Sequence, residues 1–502
     1  MRARVVTDAK NQCPVGPISH GALLRAHYPG AVTIRLYDTS ARQIRDFTPL
    51  VPGCVSIYLC GATVQAAPHI GHIRSGLNFD ILRRWFDYRG YEVTFVRNVT
   101  DIDDKIIQKA AEQNRPWWSI GYENERAFND GYTALGCRPP TYEPRATGHV
   151  TEMVEMMRGL IERGHAYESE GNVYFDVKSF PDYLELSNQE LENLQQPESA
   201  GETGKRDARD FALWKAVKPG EPSWETPWGR GRPGWHLECS AMAHKYLGTA
   251  FDIHGGGIDL IFPHHENEIA QAKAYGDEFA KYWVHNAWVT MSGEKMSKSL
   301  GNSVLVSEMV KRWRPIVLRY YLGTPHYRSM IEYSEEALRE AESAFARIEG
   351  FMQRVVEKAG GAVEPAPEVP PAFAQAMDDD LGVPQALAVV HTTVRQGNSA
   401  LAADDKEGAV ARLAEVRAML GVLGLDPLDP HWAGESDRSE TVLNKSVHGV
   451  VDTLVSLVLQ QREAARARKD WATADAIRDQ LNQSGLVIED SPQGPRWSLG
   501  PR

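Results

Sequence analysis

From Val55 to Cys60 the chain reads VSIYLC, an unbroken apolar run of strand length, and a small-residue loop follows over 61–68. Beyond Gly71 the apolar positions Ile73, Leu77, Ile81, Leu82, Trp85 and Phe86 recur along one helical stripe, which Gly90 ends. Residues 91–97 (YEVTFVR) read as the next strand. A strand–loop–helix–strand unit of this length predicts a right-handed crossover between two parallel strands. Parallel sheets of this kind bind ligands off the carboxyl ends of their strands, where the loop carrying His69 would lie.

The patterning begins at Val32, with residues 33–37 as an alternating strand, whereas residues 1–31 show no period and read as a flexible extension. Two breaker-rich stretches, 195–207 and 218–234, read as loops bounding an inserted segment. Residues 251–254 (FDIH) read as a strand that meets a turn at Gly255-Gly256-Gly257. Helical patterns cover 335–358, 373–422 and 439–481, and a short turn-and-strand piece, 484–499, closes the chain. The fold class is α/β: a Rossmann-like parallel-sheet domain with an insertion, then an α-helical bundle, then a small C-terminal module.

Composition narrows the functional classes. At 502 residues the chain is too long for one core. No apolar run approaches the ~20 residues that cross a bilayer, and the N-terminus lacks the apolar segment of a secretory signal. Five cysteines (Cys13, Cys54, Cys60, Cys137, Cys239) are too few for a disulfide framework, so the expected compartment is the reducing cytoplasm. A net charge of -12 excludes a simple polycationic nucleic-acid binder. A local reversal, in which Lys295, Lys298, Lys311, Arg312, Arg314, Arg319 and Arg328 face only Glu308, reads either as a solvated face or as a phosphate-tracking one.

Three groups of residues carry candidate chemistry. Pro68-His69-Ile70-Gly71-His72 sits where a helix N-terminus exposes unpaired N–H groups that suit phosphate, and Gly71 admits a base or ribose close to the backbone. The same residues are compatible with a plain pair of surface histidines. In the loop Met291–Asn302, Lys295 and Lys298 stand three apart among glycine and serine, where mobile ammonium charges can meet a triphosphate; a solvated loop is the alternative. Finally, His264 and Glu268 fall at i, i+4 with Cys239 and Cys60 elsewhere in the chain, which is donor chemistry for zinc without zinc-finger spacing.

His69-Ile70-Gly71-His72 and Lys295-Met296-Ser297-Lys298-Ser299 together resemble the two signature motifs of class I aminoacyl-tRNA synthetases. The resemblance implies attack of an amino-acid carboxylate on the α-phosphate of ATP, with His69, His72, Lys295 and Lys298 stabilising the transition state. It also implies nucleotide binding by His69, Gly71, His72, Gly256, Asp259 and Lys298, with Mg²⁺ accompanying ATP. Cys60-Gly61-Ala62-Thr63, the stretch 234–239 (GWHLEC) and the stretch 255–268 (GGGIDLIFPHHENE) resemble the cysteinyl-tRNA synthetase family. That likeness implies one Zn²⁺ on Cys60, Cys239, His264 and Glu268, and an amino-acid pocket lined by Gly61, Thr63, Thr100 and Trp235. A soft thiolate binds zinc where a serine hydroxyl does not, so the metal would set specificity without an editing domain. The acidic run Asp101-Ile102-Asp103-Asp104 matches the family as well and reads as helix capping and packing.

Residues 378–387, 465–479 and 489–497 resemble the family's helical and terminal modules, in which Arg466, Arg468, Lys469, Arg478 and Trp497 would meet tRNA. The expected organisation is an extension (1–31), a class I catalytic domain (32–334, insertion roughly 130–230, stem-contact region roughly 290–334), a helical domain (335–430) and an anticodon-binding region (431–502). The implied partners are tRNA(Cys), L-cysteine and ATP, with a monomeric chain and no membrane. A mycothiol-pathway ligase that joins activated cysteine to an amino-sugar is the alternative, and it lacks the far C-terminal region. A catalytically silent RNA-binding paralogue would show damage in the signature or zinc residues, and the sequence shows none.

Overall fold

The structure is a computed structural model that describes residues 33–190, 203–291, 293–296, 303–432, 455, 457–483, 486–491 and 494–499; the extension over 1–31 lies outside them. The chain forms two compact units, Met1–Leu428 and Asp429–Arg502. In the first, β1 (Arg35–Asp38) and β2 (Gln43–Asp46) make an antiparallel pair. Next come β3 (Cys54–Leu59), α1 (Ile70–Tyr88) and β4 (Glu92–Arg97), and β3 pairs β4 in parallel as the pattern predicts. The predicted stripe of α1, from Ile73 to Phe86, is buried.

After β4 the chain makes α2 (Asp104–Glu112), α3 (Trp117–Ala134) and α4 (Val150–Glu162). Five strands then form an antiparallel sheet: β5 (Ala166–Ser169), β6 (Asn172–Phe175), β7 (Phe211–Ala216), β8 (Trp224–Thr226) and β9 (Gly229–Pro233), in the order β5-β6-β7-β9-β8. Stretch 218–234 is therefore no mere loop. Its glycines and prolines fall both around and within an antiparallel strand pair, which breaker counting alone cannot separate from coil.

The chain returns to the parallel sheet through α5 (Trp235–Leu247), β10 (Ala250–Gly257), α6 (Glu266–Tyr275) and β11 (Phe279–Asn286). The sheet order is β11-β10-β3-β4, all parallel. Here a second expectation is corrected: Gly255-Gly256-Gly257 continue β10 and pair with Val284, His285 and Asn286. They are glycines for reasons of space, since a Cβ on Gly255 would lie 2.0 Å from the Phe79 ring. Beyond the sheet lie β12 (Val289–Met291), β13 (Glu294–Lys295), α7 (Val306–Arg312), α8 (Pro315–Gly323) and β14 (Ile331–Glu332), with the small sheet ordered β13-β12-β14. The helices α9 (Glu335–Ala359), α10 (Pro371–Asp378), α11 (Val383–Ala402) and α12 (Lys406–Leu423) follow, so the run 373–422 is three helices. In the second unit α13 (Trp471–Gln483) precedes an antiparallel pair, β15 (Leu486–Ser491) and β16 (Gly494–Leu499).

The described cations of the basic run prove to be ion-paired. Lys311 meets Glu308 at 2.8 Å, Arg314 meets Glu349 at 2.6 Å, and Arg328 meets Asp380 at 2.6 Å, while Arg312 pairs with Glu335. Arg319 is buried on α8, 2.6 Å from Asp80 of α1, and also donates to the carbonyls of Leu135 and Leu423. Burial alone would raise the Asp80 pKa, yet Arg84 and Arg319 hold it well below the usual carboxylate range. Asp80→Ala strands the Arg319 charge and is expected to cost about 3–5 kcal/mol, read by urea unfolding at pH 7. Because the folded pKa lies below the unfolded one, that contribution is complete above about pH 4. It fades as pH falls toward the folded value, so the gap between variant and parent should narrow in acid.

Candidate active site

Four side chains converge at the carboxyl end of the parallel sheet. Cys60 follows β3 directly, and its N–H donates to the Gly255 carbonyl of β10 at 3.0 Å. The next residue must be glycine: its N–H donates to Asn98 Oδ1 at 2.7 Å, and a Cβ on Gly61 would stand 1.7 Å from the Asn98 carbonyl oxygen. Cys239 lies early in α5, and Glu268 in the first turn of α6. His264 is not on that helix but in the irregular turn Ile261–His265 that leads into it. Even so the i, i+4 relation brings His264 Nε2 within 3.0 Å of Glu268 Oε1. Cys60 Sγ lies 3.7 Å from Cys239 Sγ and 3.3 Å from Glu268 Oε1, and the ligand atoms of all four residues lie within 4.8 Å of one another.

The electrostatics of this cluster call for a cation. Burial pushes the Cys60 thiol up, and its neighbour Cys239 pushes it further. Cys239 goes the other way: against burial, the hydrogen bond from Cys60 and the contact with His264 lower it to about 6. His264, with burial opposing, is raised to about 10 by Glu268 and Cys239, and Glu268, again with burial opposing, is lowered to about 2 by His254 and His264. A thiolate and a carboxylate thus share a dry pocket with one imidazolium. Two sulfurs, one imidazole and one carboxylate at this spacing are a donor set that fits zinc. A second set, Cys60, His254, His265 and Glu268, meets the same spacing but contains one sulfur.

Outer partners orient two of the four side chains, Glu268 and His264, in the manner of residues behind metal ligands. His254 Nε2 lies 2.8 Å from Glu268 Oε2, His236 Nδ1 lies 3.0 Å from His264 Nδ1, and Trp235 stacks on the His264 ring at 4.3 Å. Sequence reasoning missed His236 and His254. The signal for His254 was its place at the fourth position of FDIH, one register from the close approach of β10 to β3. Thr63 and Thr100 bridge the strand exits, with Val64 N–H donating to the Thr100 carbonyl at 3.2 Å.

The histidine turn opens α1, the helix that follows β3 and its loop. His69 caps α1, its N–H donates to His72 Nδ1 at 3.3 Å, and the two rings stack at 3.6 Å. The chain just past the lysine-rich loop is zipped to this turn: Ile70 N–H donates to Val304 O at 3.1 Å and Val306 N–H to Pro68 O at 3.0 Å. Lys295 belongs to β13, which pairs with β12; its side chain and all of Lys298 lie outside the described residues. Gly256 leaves room for the Leu260 side chain and the His265 ring. Asp259, on the exposed turn Ile258–Leu260, accepts from Trp288 Nε1 at 3.0 Å.

The acidic run is structural: Asp103 caps α2 through Lys105 N–H, Asp101 accepts from Thr147 N–H at 2.9 Å, and Asp104 pairs with Lys215 at 2.8 Å. In the second unit Arg466 meets Glu463 at 3.2 Å and Arg478 meets Asp475 at 3.5 Å. Arg468 N–H donates to the Ala464 and Ala465 carbonyls, and Lys469 adopts a positive φ of 60° at the end of that helical stretch. The Trp497 side chain is outside the described residues.

Comparison with known proteins places these features in context. Residues 46–343 match the family model of the tRNA synthetases class I (C) catalytic domain, residues 372–426 the DALR domain, and residues 455–497 the cysteinyl-tRNA ligase anticodon binding domain. The chain is 88% identical over 471 residues to a cysteine–tRNA ligase of Streptomyces avermitilis, covering 94% of this chain and 100% of that one. It is 86% identical over 471 residues to a cysteine–tRNA ligase of Streptomyces griseus subsp. griseus, with the same coverage. Among solved structures, Mycobacterium tuberculosis methionyl-tRNA synthetase in complex with methionyl-adenylate has a TM-score of 0.53 at 17% identity, over 75% of this chain and 92% of that chain; this is a likeness of fold.

A pH experiment follows from the cluster's protonation. At neutral pH the metal-free site holds protons on Cys60 and His264, both raised, and none on Cys239 or Glu268, both lowered. Zinc binding to stripped protein should therefore release about two protons near pH 7.5, and the number should rise as pH falls below 6 and Cys239 also becomes protonated. Calorimetry in buffers of different ionisation enthalpy counts them; release of no protons would contradict the assignment.

Proposed function

On the premise that this chain belongs to the cysteine–tRNA ligase family of class I aminoacyl-tRNA synthetases, we propose that Cys60, Cys239, His264 and Glu268 hold the Zn²⁺ by which it selects cysteine. The reaction is ATP-dependent activation of L-cysteine to cysteinyl-adenylate and its transfer to the 3' end of tRNA(Cys). When bound, the ion supplies a thiophilic Lewis acid that takes the side-chain sulfur of cysteine and discriminates against the hydroxyl of serine. The observation that carries this reading is the convergence of two cysteines, a histidine and a glutamate, from three separate chain segments, in a buried cluster within 4.8 Å.

The remaining residues work on the nucleotide and on orientation. The N-terminus of α1, with His69 and His72, offers donors to phosphate oxygens, and Gly71 keeps that approach open. Lys295 and Lys298 neutralise the charge that develops on the departing pyrophosphate, with Mg²⁺ accompanying ATP. Gly256 and Asp259 meet the ribose, the carboxylate accepting from its hydroxyls. Gly61, Thr63, Thr100 and Trp235 surround the amino acid, the indole closing the pocket over His264. The nucleophile is the substrate's own carboxylate, so the protein contributes position and charge rather than a covalent partner.

The domain reading is 32–334 for catalysis with its insertion and stem-contact region, 335–430 for the helical domain and 431–502 for the anticodon, with Arg466, Arg468, Lys469, Arg478 and Trp497 toward tRNA. The chain acts as a monomer in the cytoplasm; among the described residues no helix is long and apolar enough to cross a membrane. An amino-sugar acceptor is disfavoured by the match of residues 455–497 to the anticodon binding domain.

Cys239→Ser should lose bound zinc and cysteine-dependent ATP–pyrophosphate exchange together, activity falling at least ~10²-fold for loss of a metal ligand. Metal analysis by mass spectrometry and exchange assays on the same preparation check this; full exchange without metal would refute it. The parent protein should charge tRNA(Cys) and leave the amino-sugar unreacted.

A further inference from the structure

Trp288 lies outside every motif considered above, yet it joins the two halves of the nucleotide pocket. Its indole N–H donates to Asp259 Oδ1 at 3.0 Å. Its own carbonyl accepts from Arg74 Nη1 at 2.8 Å, and Arg74 is fully buried on α1, two residues past His72. The same guanidinium grips the carbonyls of Ala287 at 2.8 Å, His326 at 3.2 Å and Ser329 at 2.6 Å. Such a forked donor, tied to four carbonyls, fixes the backbone that carries the indole. Val289, the next residue, is the neighbour that a Cβ on Gly71 would meet at 3.9 Å, so this segment lies against the histidine turn.

Asp259 needs such a fixture. It stands on an exposed turn of three residues, where an aspartate ordinarily samples several rotamers. Gly257 lets its carboxylate fold back over the end of β10, since a Cβ there would sit 2.6 Å from Oδ1. We propose that Trp288 is a positioning residue for ATP: by donating to the Asp259 carboxylate it fixes the orientation in which that carboxylate meets the ribose hydroxyls. The chain Arg74–Trp288–Asp259 then locks the ribose anchor to the helix whose N-terminus takes the phosphates. Nucleotide ends and sugar are registered on one rigid strut. This inference rests on the reading of Asp259 as a ribose ligand, and the experiment separates the two.

Trp288→Phe keeps the ring and removes the donor; Asp259→Asn keeps the shape and removes the charge. Both are compared with the parent in cysteine-dependent ATP–pyrophosphate exchange, with ATP and with 2',3'-dideoxy-ATP, alongside the KM for cysteine and the melting temperature. Trp288→Phe is expected to raise the KM for ATP about tenfold and to shrink the preference for ATP over the dideoxy analogue by a similar factor, leaving the KM for cysteine and the melting temperature unchanged. Asp259→Asn should shrink the same preference. If Asp259→Asn does so and Trp288→Phe does not, the inference fails and the ribose reading stands. If Asp259→Asn leaves the preference intact, the ribose reading fails and takes the inference with it. A Trp288→Phe protein that melts earlier, or binds cysteine and ATP equally poorly, marks a packing role and also overturns the inference.

Discussion

Glu268 carries a negative charge in a pocket that excludes water, and the catalytic end of the sheet is organised around that charge. A buried carboxylate is tolerated only when its oxygens are occupied. One oxygen faces Cys60 and His264, and the other faces His254. The two imidazoles keep the carboxylate ionised against the cost of burial. With the carboxylate fixed, the sulfur of Cys60 and the ring of His264 have defined directions, and Cys239 completes a set of donors that a soft divalent cation satisfies. Remove the carboxylate and two sulfurs and a histidine remain with no shared focus.

The fold supplies that focus by close packing of backbone. The backbone just past β3 lies so close to Asn98, just past β4, that only glycine fits at Gly61, and the Phe79 ring of α1 packs so close on β10 that only glycine fits at Gly255. Strand exits held this tightly leave little freedom to Cys60. The N-terminal parts of α5 and α6, with the turn Ile261–His265 that leads into α6, bring Cys239, Glu268 and His264 to the same point. The histidine turn follows the same strand as Cys60, at the end of the loop 61–68. In the proposed reading, selection of the side chain and activation of the carboxylate share one frame, as chemistry that depends on positioning demands.

Much of this was legible in the sequence. The apolar run of β3 and the stripe of α1 announce a parallel crossover because burial on both faces leaves a plain periodic trace. The paired signature motifs and the segments around Cys60, Cys239 and 264–268 carried the donor set through family resemblance; spacing linked only His264 to Glu268, since Cys60 and Cys239 come from remote parts of the chain. Other features left no local trace. Three consecutive glycines look like a turn, and only the ring of Phe79, far away in sequence, explains them as strand. The strands β8 and β9 hide among glycines and prolines that read as coil. The basic run around Arg319 reads equally as a solvated or a phosphate-tracking face until its acidic partners, most of them distant in sequence, come into view. His236, His254 and Trp288 escape because hydrogen bonds to residues that are themselves distant have no sequence period.

The central claim is that this cluster binds zinc and leaves a place on it for the sulfur of the substrate. X-ray absorption at the zinc edge, on protein with and without bound L-cysteine, tests it most directly. The account predicts two sulfur neighbours at about 2.3 Å in the free protein and three when cysteine is bound, with serine leaving the count at two. A sulfur count that stays at two in the presence of saturating cysteine would contradict it.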